Sequence, residues 1–505
     1  MLGIGNYMTT REVIVMAQPV GNERAPKVLD QPIGIKARGQ RKEFDSLGEV
    51  MVPADRYWGA QTQRSLEHFT IGHDRMPNEV HKAYGYVKKA AAMVNTDHKR
   101  LPRWKGKLIQ RVADEVISGL LDDDFPLYVW QTGSGTHSNM NVNEVISNRC
   151  IQLVGGKLGS QKPIHPNDHV NMGQSSNDTF PTAMHIAGYI MATERTVPAL
   201  KRLQQALAKK SRQWESVVKV GRTHLTDAAP LTVGQQWSGY AVALQDAIIE
   251  LEHATSGLLP LAIGGTAVGT GLNSPAGFGD EVAGIIAKLT GHPFTTAENK
   301  FVALGTLDRM VRAHAGLKTT AVTLFKIAND MRWLGSGPRT GLAELVLPAN
   351  EPGSSMMPGK VNPVVPEAVL MVCARVIGND QTVAWAGASG NFELNVAIPV
   401  MGTSVLESIR LLTNSMRVLT DKTVVGLVAN EERARALAES SPAIVTPLNR
   451  VIGYEAAAKV AKYSVEHKKT VRESVIEMGF VERGEVTLEQ LDAALDVLKM
   501  TSPGL

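Results

Sequence analysis

Val233-Gly234-Gln235-Gln236-Trp237-Ser238-Gly239-Tyr240-Ala241-Val242-Ala243-Leu244-Gln245-Asp246-Ala247-Ile248-Ile249-Glu250-Leu251 places large apolar residues at 233, 237, 240, 244, 248 and 251. Steps of three and four put these residues on one face of a helix. The same stepping links Leu200, Leu203 and Leu207, and runs from Leu307 through Met310, His314 and Leu317 to Leu324, Ile327 and Met331. Between about 179 and 430, stretches of roughly 25–35 residues without a breaker exceed the usual globular helix. At about 1.5 Å per residue such rods run about 40–50 Å. One five-helix unit does not cover them, so chains are expected to associate through them; a monomeric elongated bundle is the alternative. The fold class is mostly α, with a long central helix bundle.

Outward from that bundle the chain divides into four parts. Residues 1–40 show no sustained period, carry Pro19, Pro26 and Pro32, and read as a flexible N-terminal extension. Arg11, Arg24, Lys27, Lys36 and Arg38 outnumber Glu12, Glu23 and Asp30, which raises a mitochondrial transit peptide as an alternative; the acids and scarce serine argue against it. Residues 41–175 form an N-terminal, mixed but mainly helical domain, with helices expected over 80–95, 104–121 and 139–153. Residues 176–431 are the central bundle and oligomer core. Residues 432–505 form a small helical C-terminal domain whose last helix begins near Thr487, where Thr-Leu-Glu-Gln suggests an N-cap.

Composition narrows the function classes. Net charge is +4 on 53 basic and 49 acidic residues and aromatic content is 5%, so nothing favours nucleic acid. No run of roughly 18 apolar residues marks a membrane span. The two cysteines, Cys150 and Cys373, argue against a disulfide framework and fit a reducing compartment, with the cytoplasm expected. They are also too few for the three or four ligands of a usual iron–sulfur cluster, and no zinc-type spacing is present, so no metal or cofactor is expected.

Four blocks carry chemistry. The most informative is Gly353-Ser354-Ser355-Met356-Met357-Pro358-Gly359-Lys360-Val361-Asn362-Pro363, a loop by its glycines and prolines. It presents hydroxyl, ammonium and amide groups suited to a small carboxylate, and Glu367 follows on the next helix. Gln131 to Asn141 (QTGSGTHSNMN) offers neutral donors ahead of a helix, with Ser138 or Asn139 as cap; a polar turn is the equal alternative. His165-Pro166-Asn167-Asp168 precedes Gly173 to Asp178 (GQSSND), an anion cradle at the start of a helix near Pro181; His165 alone is more readily a turn residue. Gly221 to Pro230 (GRTHLTDAAP) carries His224, which alone is more often structural, although histidine is the side chain most easily tuned to move protons near neutral pH. The Gly264–Gly271 run lacks dinucleotide-site spacing and reads as a turn, with Thr266 or Asn273 lining a pocket.

Taken together, GSSMMPGKVNP, GRTHLTDAAP, QSSNDTFPTAM and GTHSNMN with HPND resemble the fumarase/aspartase superfamily over about 45–500. IANDMRWL and GASGNFELNV bring the resemblance closest to the oxygen-independent class II fumarate hydratases. The resemblance implies a three-part helical subunit and a homotetramer with active sites shared between subunits. It implies reversible addition of water to fumarate without metal. It assigns Ser354 as the base, His224 as the other acid/base group and Glu367 as its partner. It places Ser134, Gly135, Thr136, Ser175, Ser176, Asn177, Thr223, Ser355, Lys360, Val361 and Asn362 around the substrate, and His165, Pro166, Asn167 and Asp168 at a second, shallower dicarboxylate site. His137 departs from the glutamine usual there. The rival is aspartate ammonia-lyase: HPNDHVN is common to both, whereas GNFELNV and HSNMN favour fumarase.

Overall fold

A computed structural model describes residues 24–503. Among the described residues are seventeen α-helices and four separate two-stranded ribbons. The mostly α class expected from the apolar stepping holds. Helix Val233–Ser256 buries Trp237, Tyr240, Leu244, Ile248 and Leu251, the predicted stripe. A capping box starts it: the Thr232 hydroxyl accepts from Gln235 N at 3.0 Å, and the Gln235 side chain accepts from Thr232 N at 2.9 Å. Helix Asp308–Leu334, with 27 residues, buries Met310, His314, Leu317, Leu324, Ile327 and Met331. At ~1.5 Å per residue it is about 40 Å long. Two further long helices, Val364–Ala388 and Ile398–Leu419, follow the 353–363 loop.

Nearer the N-terminus the helices are Asn78–Asp97, Arg103–Ile117 and Thr136–Leu153. The last starts three residues before the expected Asn139. Gly135 turns the chain at φ 72°, and a Cβ there would meet Phe180 Cδ2 at 2.1 Å, so only glycine fits. Ser138 and Asn139 lie inside the helix and are not its caps. Likewise helix Ser176–Met191 begins ahead of Pro181, which sits within it.

The chain forms two compact units, each assembled from discontinuous segments. One takes in the described residues up to Ala187 together with Leu259–Leu307 and Ala386–Thr403. The other holds Gly188–Leu258, Asp308–Trp385 and the chain from Ser404 onward. In the second unit the C-terminal segment packs Ala438, Leu448, Val460, Val475 and Leu491 around Val218 and Val220 of a β-hairpin. Thr487 caps helix Leu488–Ala494 as its sequence predicted.

The flexible extension expected over 1–40 needs correction where it is described. Residues 1–23 lie outside the described residues. Residues 24–39 have neither helix nor strand, yet part of them is tied down. Leu29 N donates to Leu153 O at 2.7 Å. The buried Arg149 guanidinium donates to Gln31 O at 3.0 Å and Pro32 O at 3.2 Å while paired with Glu115. Cys150 and Cys373 are free and buried. No helix among the described residues is long and apolar enough to cross a membrane.

Candidate active site

The first unit gathers three polar loops. Residues 131–136 dock on 396–398: Ile398 N donates to Gly133 O at 3.0 Å, and a Cβ on Gly133 would lie 1.7 Å from Val396 O. Gln131 Oε1 accepts from Ser138 N at 3.0 Å and Ser138 Oγ at 3.1 Å, so a side chain outside the helix serves a buried first-turn N–H that has no partner within the helix. Ser134 Oγ and Thr136 Oγ1 are 2.8 Å apart. Ser175 and Ser176 begin the next helix. Asp178 Oδ1 accepts from Ser175 N at 3.0 Å, and its Oδ2 accepts from Gly264 N at 3.0 Å and Thr266 N at 2.9 Å. Asn177 Nδ2 donates to Ala267 O at 2.8 Å. The Gly264–Gly271 turn is therefore a clamp on 175–178. Burial raises the Asp178 carboxyl to about 6, opposed by these backbone donors. Ser134, Gly135, Thr136, Ser175, Ser176 and Asn177 thus belong to one polar framework.

His137 reaches away from that framework, with Nδ1 3.0 Å from Ser65 Oγ and its ring tilted against Phe69. Burial lowers its pKa, and His68 adds to the effect. His165 caps the short helical turn Pro166–Val170. Its Nδ1 accepts from Asn167 N and Asp168 N, both at 3.1 Å, which fixes that nitrogen as the unprotonated one. His165, Pro166 and Asn167 border a cavity of about 300 Å³ that also holds Glu43, Asp45 and Glu144.

The second unit positions His224 by a β-hairpin. Strands Val218–Thr223 and Thr226–Thr232 pair antiparallel, with Thr223 opposite Thr226. His224 and Leu225 are the two turn residues, at φ 58° and 62°. A two-residue turn with both φ positive favours Asn-Gly, and other residues there cost roughly 1–2 kcal/mol. A strained, exposed histidine held by a packed hairpin is a functional signal. The hairpin is anchored by Val218 and Val220 in the core and by Arg222 Nη1 donating to the buried Glu344 Oε2 at 2.6 Å. Thr223 and His224 border a cavity of about 730 Å³, with Lys219, Asp330 and Trp333.

The 353–363 loop, in the same unit, folds back on itself. Gly353 N donates to Lys360 O at 2.9 Å, and Asn362 Nδ2 donates to Gly353 O at 2.6 Å. A Cβ on Gly353 would lie 2.2 Å from Lys360 O, so glycine is required for the closure. Inside the fold-back, Ser354 Oγ accepts from Met356 N at 3.2 Å and Met357 N at 3.0 Å. Two backbone dipoles aimed at a serine oxygen favour its ionised form. Ser355, Lys360 and Val361 are exposed, and Glu367 is half-buried in the first turn of helix Val364–Ala388.

Among the described residues, no hydrogen bond or ion pair joins His224 to Ser354, Lys360 or Glu367. Each block is built locally, and the expected acid–base residues make no direct contact within one chain. Two supporting groups carry no signal in the sequence. One is the Arg222–Glu344 pair, and the other is Lys88, whose ammonium is fully buried beside Asn139, Asn171 and Gln174. Burial lowers Lys88 to about 7, with Asp178 opposing. Neither has a motif; a lysine on a helix reads as solvated until its neighbours are known.

Comparison with known proteins agrees with this geometry. The family described as Lyase matches residues 48–378, and that described as Fumarase C C-terminus matches residues 444–502. The class II fumarate hydratase of Methanosarcina acetivorans is 58% identical over 475 residues, covering 94% of this chain and 97% of the relative. The mitochondrial fumarate hydratase of Rhizopus oryzae is 54% identical over 87% of this chain and 90% of the relative. The crystal structure of class II fumarase from Schistosoma mansoni superposes with a TM-score of 0.88 at 40% identity, covering 92% of this chain and all of that one. With its helices, its four blocks and these relatives in agreement, the chain belongs to the class II fumarate hydratase family of the fumarase/aspartase superfamily.

Proposed function

We propose that the chain is a hydro-lyase that adds water reversibly, in the anti sense, to fumarate, giving (S)-malate. The relatives named above support the substrate. The observation that carries the chemistry is the Ser354 hydroxyl receiving two backbone N–H bonds on a loop that also presents Lys360. In the dehydration direction Ser354 takes the C3 proton of malate. Serine is a poor base unless its alkoxide is stabilised, and the Met356 and Met357 N–H groups with the Lys360 ammonium supply that field. Loss of the proton leaves an aci-carboxylate carbanion whose charge moves onto the neighbouring carboxylate. Lys360, Asn362, Ser355 and the loop backbone through Val361 stabilise it. His224, paired with Glu367, acts through a bound water on the C2 oxygen, beside Thr223. The framework of Ser134, Gly135, Thr136, Ser175, Ser176 and Asn177 holds the other carboxylate, and His165 to Asp168 form a secondary dicarboxylate site. Gly353 and Gly359 let the loop close over the ligand and exclude water.

Assembly follows from the same blocks. Val242, Ile249, Val322, Phe325 and Met371 are exposed apolar residues on the long helices, a pattern suited to burial against further copies of the chain. We assign a homotetramer whose sites combine blocks from different subunits, with the chain divided into 41–175, 176–431 and 432–505 and located in the cytoplasm. The direct test follows fumarate by its ultraviolet absorbance, with malate and then aspartate as substrate and EDTA present. Malate dehydration insensitive to EDTA, with aspartate inert, is the expected result. Aspartate deamination without malate turnover overturns the assignment.

A further inference from the structure

Lys88 lies in helix Asn78–Asp97 and is fully buried. Its ammonium donates to Asn139 Oδ1 at 2.7 Å, Gln174 Oε1 at 2.9 Å and Asn171 Oδ1 at 3.0 Å. An ammonium has three donors and no acceptor, so the three bonds use it completely. Each carboxamide must therefore turn its oxygen toward Lys88. For Asn139 this has a consequence on the opposite side. Its Nδ2 is committed to the other direction, where it donates to Ser176 Oγ at 2.9 Å and Asn171 Oδ1 at 3.1 Å. The neighbouring amides are locked as well: Asn171 Nδ2 donates to Gln174 O, and Gln174 Nε2 donates to Val170 O and Met172 O. The amide network thus has one consistent direction, set by the one group in it that is donor-only.

Ser176 inherits that direction. Its oxygen accepts from Asn139, and its hydrogen has no acceptor among the described residues. A hydroxyl with a lone pair engaged and its proton uncommitted is poised to donate to an arriving anion. We propose that Lys88 is a positioning residue for carboxylate binding, acting through Asn139 to present the Ser176 hydroxyl to the substrate as a donor. This rests on the reading of Ser176 as a carboxylate contact. It adds a buried residue with no access to the ligand itself, separated from Ser176 by two hydrogen bonds.

A merely structural lysine and a positioning lysine differ in how their loss combines with loss of Ser176. Steady-state kinetics on fumarate with the full-length chain, wild type, Lys88→Met, Ser176→Ala and the double variant, decide between them. Losing a hydrogen bond to a charged group corresponds to about 10- to 100-fold in affinity. Each single variant is expected to raise KM for fumarate by about that factor, and the double variant no more than the worse single. A wild-type KM in Lys88→Met, or single effects that multiply in the double variant, overturns the proposal. Lys88→Met leaves the Asn139 and Gln174 amide oxygens without their donor, so Asn139→Asp supplies a second route that does not depend on its folding. That change keeps an acceptor for Lys88 but offers Ser176 a carboxylate oxygen, which draws the hydroxyl proton inward. KM is expected to rise as in Ser176→Ala, with no added effect in the Ser176→Ala background; an unchanged KM overturns the proposal. Wild-type turnover in the same assay reports separately on the parent assignment.

Discussion

Ser354 is a weak base by residue type, and its setting favours the ionised form. Its oxygen receives the Met356 and Met357 N–H groups, and the fold-back that aims them depends on Gly353, where no Cβ fits. His224 sits in a turn conformation that a histidine adopts only when the surrounding hairpin imposes it. Ser354→Ala and His224→Asn are each expected to lower kcat by about 10²–10⁴ with an unchanged melting temperature. Full activity in either purified variant removes that residue from the mechanism. The blocks around Ser354 and His224 stand out in the sequence because they are contiguous: glycine, proline and polar groups lie within a few positions of one another. Lys88 was not. Its partners lie 51, 83 and 86 residues away, and its burial is a property of the packed unit alone.

At the scale of elements, the apolar stepping read the long helices correctly because one buried face is enough to specify a helix. Their starts were less legible. Helix Thr136–Leu153 begins where Gly135 turns against Phe180, a contact 45 residues away that no local propensity encodes. The His224 hairpin was missed because His-Leu is not a turn signature. Another interelement bond makes a pH prediction. Glu144, on helix Thr136–Leu153, serves the start of helix Ala60–His68, accepting from Gly59 N at 2.9 Å, Gln61 N at 2.8 Å and Thr62 Oγ1 at 2.6 Å. Burial raises its carboxyl from 4.5 to about 7, with Glu43 adding and the Thr62 hydroxyl opposing. Between those values the folded chain binds more protons than the unfolded one, so this group's contribution to stability falls as pH rises toward about 7. Melts of the wild type and Glu144→Gln at pH values spanning that window should therefore show the wild type's advantage shrinking with pH. An advantage that grows with pH contradicts the assignment.

For the whole molecule, the division of labour between blocks is the central matter. Ser354 and His224 are each finished locally, and no bond joins them within the chain. Exposed apolar residues on the helices that carry the core stripes suit burial against other copies. In the sequence, association is expected only from rods too long for one unit to cover; which block would meet which depends on symmetry, which no single chain encodes. The most direct measurement is complementation. Ser354→Ala and His224→Asn chains, each nearly inactive alone, are co-assembled in equal amounts and assayed on malate. If each site draws Ser354 and His224 from different subunits, random mixing gives both intact residues to about one quarter of sites (one half times one half). The account predicts activity rising toward that fraction of wild type; activity no greater than the two parents' own contradicts it.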